Sequence, residues 1–507
     1  MSEAQTARQR SAARDALAAR SRRLTGGVAS YLPLAFVVVV AAATRFLLLG
    51  HQSLYYREIV SLILAKQPFG AMLHDIARTE STPPLYYVLL WVWVRLFGTS
   101  ADALRSLSAC FGVLTVVVLY FAARARLSRG AALVVGALAA TSPMLIWYSQ
   151  ETRAYAVVTF FLACSLYFML RAQDGGGGAL AGWSTAACLA LASHYFAVFA
   201  LVPEAAYLLY LYRHRLRPAL LALVAPLAVG AALLPLAIHQ HNSGHAEYIA
   251  AIPLTSKIRD TIDTYLLGPY QLSAPRLLAL CLLIAAGLIL SVGRWAPPAV
   301  KRNAVLFASL AVTTLILPLI AVPGLFDARN LIVALPPFLL LAGAAFVPLM
   351  RPLTVTLGLA VAAALLVPTV LAARQVDLQR EDWRGMATLI GPPSTTRAVL
   401  TYPAFEYIAL THYRPDLKPV TTGKLHVREI VLVGLGNLSS LRLPAGFQRV
   451  QDKPLGRIRI IRLRSRTTRT LNVGALHLRP LLRLLHQYHS LAHTSGQDAT
   501  LLIDRQT

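Results

Sequence analysis

Carboxylates and guanidinium groups gathered at the ends of apolar runs are the residues with chemistry to offer. After a first apolar run come Tyr55-Tyr56-Arg57-Glu58, then His74, Asp75, Arg78 and Glu80, then Thr82-Pro83-Pro84-Leu85-Tyr86-Tyr87. A very short turn holds Trp147-Tyr148-Ser149-Gln150-Glu151-Thr152-Arg153-Ala154-Tyr155. Phe326-Asp327-Ala328-Arg329-Asn330 precedes another run, and His194-Tyr195 ends a further one. A guanidinium can hold a phosphate through two parallel hydrogen bonds. A carboxylate can take a proton as general base. Arg153, Arg329 and Arg57 suit the first task, and Glu58 and Glu80 the second. Gln150, Glu151, Tyr86, His194 and Tyr195 could orient a substrate. Each has a plainer reading: a local Arg57–Glu58 ion pair, an aromatic belt with Arg153 reaching to headgroups, a surface Arg329, a structural His194.

The elements that must position these groups are apolar helices. A spanning helix needs about 20 apolar residues. Candidate runs are Gly27–Leu49, Leu104–Ala123, Ala131–Trp147, Ala154–Leu170, Ala179–Ala192, Tyr195–Tyr212, Pro218–Ile238, Leu277–Val292, Ala304–Val322, Leu331–Leu349 and Leu353–Ala373. Leu85–Phe97 is short, reaching about 20 Å at a rise of about 1.5 Å per residue, and either crosses with help from its flanks or stays partly embedded. Basic short loops mark the cytoplasmic side. If Leu85–Phe97 does not cross, the loops Arg124–Arg129, Arg171, Arg213–Arg217, Arg294–Arg302 and Arg351 all share a side with the Arg-rich N-terminus. This predicts about eleven crossings, N-terminus inside and C-terminus outside. The candidate acids and arginines then fall together outside, where most of the carboxylates lie. A wet cavity lined by acids and arginines suits transfer from a lipid-linked phosphate, because the arginines stabilise the phosphate as it leaves. No nucleotide is available on that side.

Composition agrees. Of 507 residues, 56% are hydrophobic and only 14% charged, too little charge to cover a water-soluble surface. The net charge of +26 is dispersed between apolar runs, with no basic helix interleaved with aromatics, which excludes nucleic acid and points to membrane lipids. Cys110, Cys164, Cys188 and Cys281 lie singly in apolar runs and read as small buried hydrophobes. No cluster has metal-ligand spacing, although distant loops could still converge on a divalent ion. The N-terminal stretch lacks the pattern of a cleaved leader. After Ala373 an amphipathic pattern from Glu381-Asp382-Trp383-Arg384 to Ile390 is followed by β-rich runs at Ala398–Thr401, Ile430–Val433 and Arg457–Leu463, predicting a small α/β domain. The expected division is a basic cytoplasmic tail over 1–26, a transmembrane domain over 27–373 with its first outside loop at 51–84, the α/β domain over 374–465 and a basic tail over 466–507. Gly175–Gly178 lacks the Lys and Ser/Thr of a phosphate-binding loop.

At Ser53–Ser61, Ser81–Tyr87, Ala103–Tyr120, Ile146–Tyr155 and Asp382-Trp383-Arg384 the chain resembles membrane glycosyltransferases of the C-type fold. Within these it is most similar to the family of protein O-mannosyltransferases and the lipid A aminoarabinose transferase, especially its uncharacterised bacterial members. The resemblance implies an all-α polytopic fold of about 11–12 helices with a small extracytoplasmic C-terminal domain, in the plasma membrane. It also implies an inverting transfer of a hexose or pentose from a polyprenyl-phosphate sugar to a lipid, glycan or protein acceptor. The family's first outside loop usually carries adjacent Asp-Glu with the Asp as base. Here that position is Arg57, which cannot accept a proton, so the role passes to Glu58 or Glu80. A His often precedes the Pro pair; here it is Thr82. The alternatives are a catalytically inactive relative that binds polyprenyl lipid or a partner enzyme, and a transporter. The last lacks paired interrupted helices and ionisable residues at mid-membrane.

Overall fold

The computed structural model describes residues 31–175, 177–242, 247–270, 292, 294–347, 351–393, 395–420, 423–435, 446–472 and 500–504. Among the described residues, Ala101–Arg126, Tyr155–Ala172, Leu216–Asn242, Pro298–Ala321 and Thr356–Arg374 are helices long and apolar enough to cross a membrane. Shorter apolar helices occupy Tyr31–Phe46, Leu85–Phe97, Gly178–Ser193, Ala197–Leu211 and Asn330–Ala345. This is the helical body of a polytopic membrane protein. Of the eleven runs read from the sequence, Leu277–Val292 lies outside the described residues apart from its end, as do the N-terminal tail and the stretch 473–499.

One run is not a single rod. Ala131–Trp147 is two helices, Arg129–Thr141 and Pro143–Ser149, bent by 53°. Pro143 has no N–H for the Ala139 carbonyl, and the next helix begins there, so the last carbonyls of the first lose their partners. Arg45, fully buried in the helix Tyr31–Phe46, supplies them: its guanidinium donates to Ala140 O at 3.0 Å and to Ala139 O at 3.0 Å. Gly112 gives Arg45 room, since a Cβ there would collide with Ser149 Oγ and press on Arg45 Nε. Gly112→Ala is expected to cost about 1–3 kcal/mol, read as a fall in the thermal midpoint of detergent-solubilised protein. Gly230→Ala, where a Cβ meets nothing within 4 Å, serves as the control and should not lower it.

The loop after the first helix is itself helical. Tyr56–Lys66 and Phe69–Thr79 pack beside Leu85–Phe97. Trp91 Nε1 donates to Gln67 O at 3.0 Å and Arg95 Nη1 to Ala65 O at 3.1 Å, fastening the loop to the short helix. Arg95 covers the Trp91 ring at 3.4 Å, burying its stem while the charge stays at the surface.

The C-terminal domain is a six-stranded sheet with helices on one face. Its strands are β1 (Arg397–Tyr402), β2 (Lys418–Val420), β3 (Lys424–Leu435), β4 (Gln448–Leu455), β5 (Ile458–Asn472) and β6 (Thr500–Asp504), ordered β2-β6-β1-β3-β5-β4. β1 and β3 pair in parallel, and the other pairs are antiparallel. Alternation sorts the side chains. Val399, Val431 and Val433 meet Trp383, Met386 and Leu410 of the helices, in a core continuous with Leu54, Ile59 and Leu62 of the first loop. Ala398, Leu400, Ile430 and Leu432 face the other way. The sheet crosses the boundary at 465 read from composition. β5 continues to Asn472, with Arg469 opposite Val427, and β6 pairs with β1. Basic and Thr residues there read as the start of a basic tail, whereas the strand ladder holds residues up to Asn472 through backbone bonds that composition does not register.

Candidate active site

Glu58 stands in the first turn of Tyr56–Lys66, where the helix dipole favours an acid. Arg105 grips it with Nε to Oε1 at 2.8 Å and Nη2 to Oε2 at 2.6 Å. Thr152 adds its backbone N–H to Oε1 at 3.1 Å. Arg105 also donates to the carbonyls of Leu49 at 2.8 Å, Gln52 at 2.9 Å and Ser53 at 2.9 Å. Glu58 and Arg105 are 0% and 1% exposed. Burial alone would raise the Glu58 carboxyl, but Arg105 and Thr152 outweigh it and hold the group below its ordinary value. This placement departs from the expectation that Glu58 is a base. It is sealed in an ion pair that joins the first loop, a spanning helix and the turn at 150–153.

A second pair opens onto space. Arg153 donates from Nη1 to Glu80 Oε1 at 3.0 Å and from Nη2 to Glu80 Oε2 at 2.9 Å. Both residues line a cavity of about 230 Å³, together with Arg57, Arg329, His194 and Tyr195, and with Tyr56, Tyr155, Phe196, Ile249 and Leu325 as its less polar wall. Residues drawn from six separate stretches therefore converge. Arg57 lies 5.4 Å over the Tyr56 ring. Arg329 takes Asp327 at 3.2 Å, and its own backbone N–H donates to Asp327 Oδ1 at 3.0 Å. Burial and then the neighbouring Arg57 charge lower the Arg329 guanidinium. Burial lifts the Asp327 carboxyl.

His194 accepts the Phe196 backbone N–H on Nδ1 at 3.2 Å, which leaves the proton of a neutral ring on Nε2. Burial, then Arg153 and Arg329, push its pKa down to about 3. The ring is therefore a neutral donor near Arg153 and Arg329. Tyr195 donates its hydroxyl to Gln240 Oε1 at 2.9 Å.

Three candidates lie elsewhere. Gln150 donates to Thr44 O at 3.0 Å and Arg45 O at 3.3 Å, serving the unpaired carbonyls at the end of the first helix. Glu151 accepts the Tyr55 hydroxyl and is 3% exposed. Tyr86 is fully buried edge-on against Tyr87, with ring centroids 5.5 Å apart. None of the three lines the cavity. All three build its frame.

Sequence reasoning passed over Arg105, Arg380 and Gln240. Arg105 had a signal: a cation inside an apolar run needs a buried partner. Arg380 reaches Trp147 O at 3.0 Å and covers the Trp147 ring at 4.0 Å. Beside it, Ser53 accepts the Trp383 N–H at 3.0 Å and donates to Glu381 O at 2.8 Å. These contacts dock the C-terminal domain on the first loop through Ser53 and on the helix Pro143–Ser149 through Trp147. Gln240 had no distinguishing pattern around it. Among the described residues no group of three or more His, Cys, Asp and Glu is arranged to hold a metal ion.

Residues 81–239 match the family described as dolichyl-phosphate-mannose-protein mannosyltransferase. Among solved structures the chain is similar to the oligosaccharyltransferase of Archaeoglobus fulgidus in complex with zinc and sulfate, at 15% identity over 71% of this chain and 55% of that one, with a TM-score of 0.42. It is similar to ArnT from Cupriavidus metallidurans bound to undecaprenyl phosphate, at 15% identity over 85% and 97%, TM-score 0.37. It is similar to the S. cerevisiae protein O-mannosyltransferase complex bound to the sugar donor, at 17% identity over 43% and 34%, TM-score 0.31. The chain spans about half the length of the archaeal enzyme. No curated protein matches it. Over residues 81–239 the family match agrees with the resemblance to protein O-mannosyltransferases read from the sequence.

Proposed function

We propose that this chain, a relative of the dolichyl-phosphate-mannose-protein mannosyltransferases over residues 81–239, moves a sugar from a polyprenyl-phosphate-linked donor to an acceptor on the extracytoplasmic face of the plasma membrane. The observation that carries the reading is the convergence of Arg57, Arg153 and Arg329 on one cavity that also has an apolar wall. Three guanidinium groups outnumber the two carboxylates paired with them, Glu80 and Asp327, so the space favours an anion, and donors fixed in a low-dielectric cavity stabilise charge as it develops on a leaving phosphate. In the proposed step the acceptor oxygen attacks the anomeric carbon, the bond from that carbon to the phosphate oxygen breaks, and the polyprenyl phosphate leaves with the electron pair. Glu80 takes the acceptor proton. Phosphate arriving at Arg153 competes for the guanidinium and releases a Glu80 oxygen for that task. His194 Nε2–H offers a neutral hydrogen bond. The side of the membrane rests on the basic short loops opposite the cavity.

A second reading, a relative that binds polyprenyl lipid without transferring sugar, draws support from Glu58 and Glu80 each being gripped by an arginine through both oxygens. Membranes carrying the chain, supplied with radiolabelled polyprenyl-phosphate sugars, separate the two. Transfer that disappears on replacing Arg153 by Ala supports the first. Lipid retained by the purified chain with no transfer supports the second, and neither result leaves both standing.

Because His194 stays neutral down to about pH 3, transfer is expected to follow the same pH profile in the native chain and in His194→Gln between about pH 5 and 8. An inflection near the ordinary histidine value that vanished in the variant would contradict this assignment.

A further inference from the structure

The carboxamide of Gln240, 2% exposed in the last turn of the helix Leu216–Asn242, touches both sides of the cavity. Its Nε2 donates to Ile76 O at 3.0 Å and to Thr82 O at 3.3 Å, while its Oε1 accepts the Tyr195 hydroxyl. The Ile76 carbonyl already takes the backbone N–H of Glu80 at 3.2 Å, the bond that ends the helix Phe69–Thr79. Gln240 fills the second lone pair of that carbonyl. The two carbonyls it holds therefore bracket Glu80 on either side. Thr79, Glu80, Ser81, Thr82 and Tyr195 all line the cavity.

We infer that Gln240 is a positioning residue that sets the Glu80 segment against Tyr195 and so fixes the spacing across the cavity. A primary amide is the side-chain group that can donate twice and accept once from one end. Glutamate has the same shape and offers no donor. The consequence for catalysis rests on the transferase reading above. Displacing a reacting group by about 1 Å can cost about 100-fold in rate.

The test uses the full-length chain with Gln240→Glu and Gln240→Ala. Amide hydrogen exchange is followed over residues 77–84, and sugar transfer is measured in parallel. Exchange at 79–82 is expected to rise in both variants. In Gln240→Glu it should fall back toward native at acidic pH, where the introduced carboxyl is protonated and regains one donor. Transfer should drop about 100-fold in kcat with the donor KM held within about twofold, since Arg57 and Arg329 still bind the phosphate. Tyr195→Phe keeps both donated bonds and should leave exchange at 79–82 near native. Unchanged exchange in both Gln240 variants, or an equal rise in Tyr195→Phe, would overturn the inference. A native chain that transfers no sugar would remove the proposed function, and the exchange result would still decide the role of Gln240.

Discussion

Arg105→Ala is expected to destabilise the protein by about 3–5 kcal/mol, the usual result of leaving one member of a buried ion pair alone. The variant strands the Glu58 carboxylate and abandons the Leu49, Gln52 and Ser53 carbonyls, all in one sealed volume. Little water can enter, since both partners are at most 1% exposed. The measurement is the thermal midpoint and the yield of monodisperse protein in detergent. Glu58→Gln should cost less, because the amide oxygen still accepts from Arg105 and Thr152. The double variant Glu58→Gln/Arg105→Met should recover part of the loss, as removing both charges removes the stranded one. A stable Arg105→Ala protein would refute the structural role given to this pair. The pH dependence has a definite sign. The Glu58 carboxyl is lowered in the fold, so its contribution is fully present above the ordinary carboxylate value of 4.5 and is lost as the pH falls below that toward the lowered one. Acid sensitivity in that window should vanish in the double variant.

Arg153→Ala should lower transfer by about 100- to 1,000-fold in kcat, the range seen when one fixed donor to a developing oxyanion is removed. The fold should tolerate this change better than Arg105→Ala, because Glu80 borders the cavity and water can replace the lost guanidinium. Arg153→Lys keeps the charge but not the two-pronged fork, so an intermediate loss is expected. Glu80→Gln probes the proton acceptor. If Glu80 only orients Arg153, the amide should retain much of the activity; if it takes the acceptor proton, transfer should fall as far as in Arg153→Ala. Full activity in both Arg153→Ala and Glu80→Gln would refute the roles given to the pair.

The cationic half of the site was the most legible in the sequence. Arg57, Arg153 and Arg329 stand at run ends and do meet at the cavity, because a charge beside an apolar helix is driven to the boundary, where a wet space can solvate it. The acids were less legible. Glu58 and Glu80 present the same functional group in the same loop, and spacing could not tell which would be sealed and which would reach the cavity. Gln150 and Glu151 sit beside Arg153 in one turn, yet they face helix carbonyls and a tyrosine hydroxyl, because a short turn points successive side chains in different directions.

What the amino-acid order determined alone is local. It set the apolar runs, the shift to a sheet after Ala373 and the clustering of charge at the ends of spans. These follow from hydrophobic periodicity and from the cost of burying charge, which act over a few residues. Tertiary structure decided the pairings. Arg105 lies 47 positions from Glu58, and Arg153 lies 73 from Glu80. Coulomb attraction in a low-dielectric interior depends on distance in space, and nothing in the spacing along the chain says which guanidinium will arrive within 3 Å of which carboxylate.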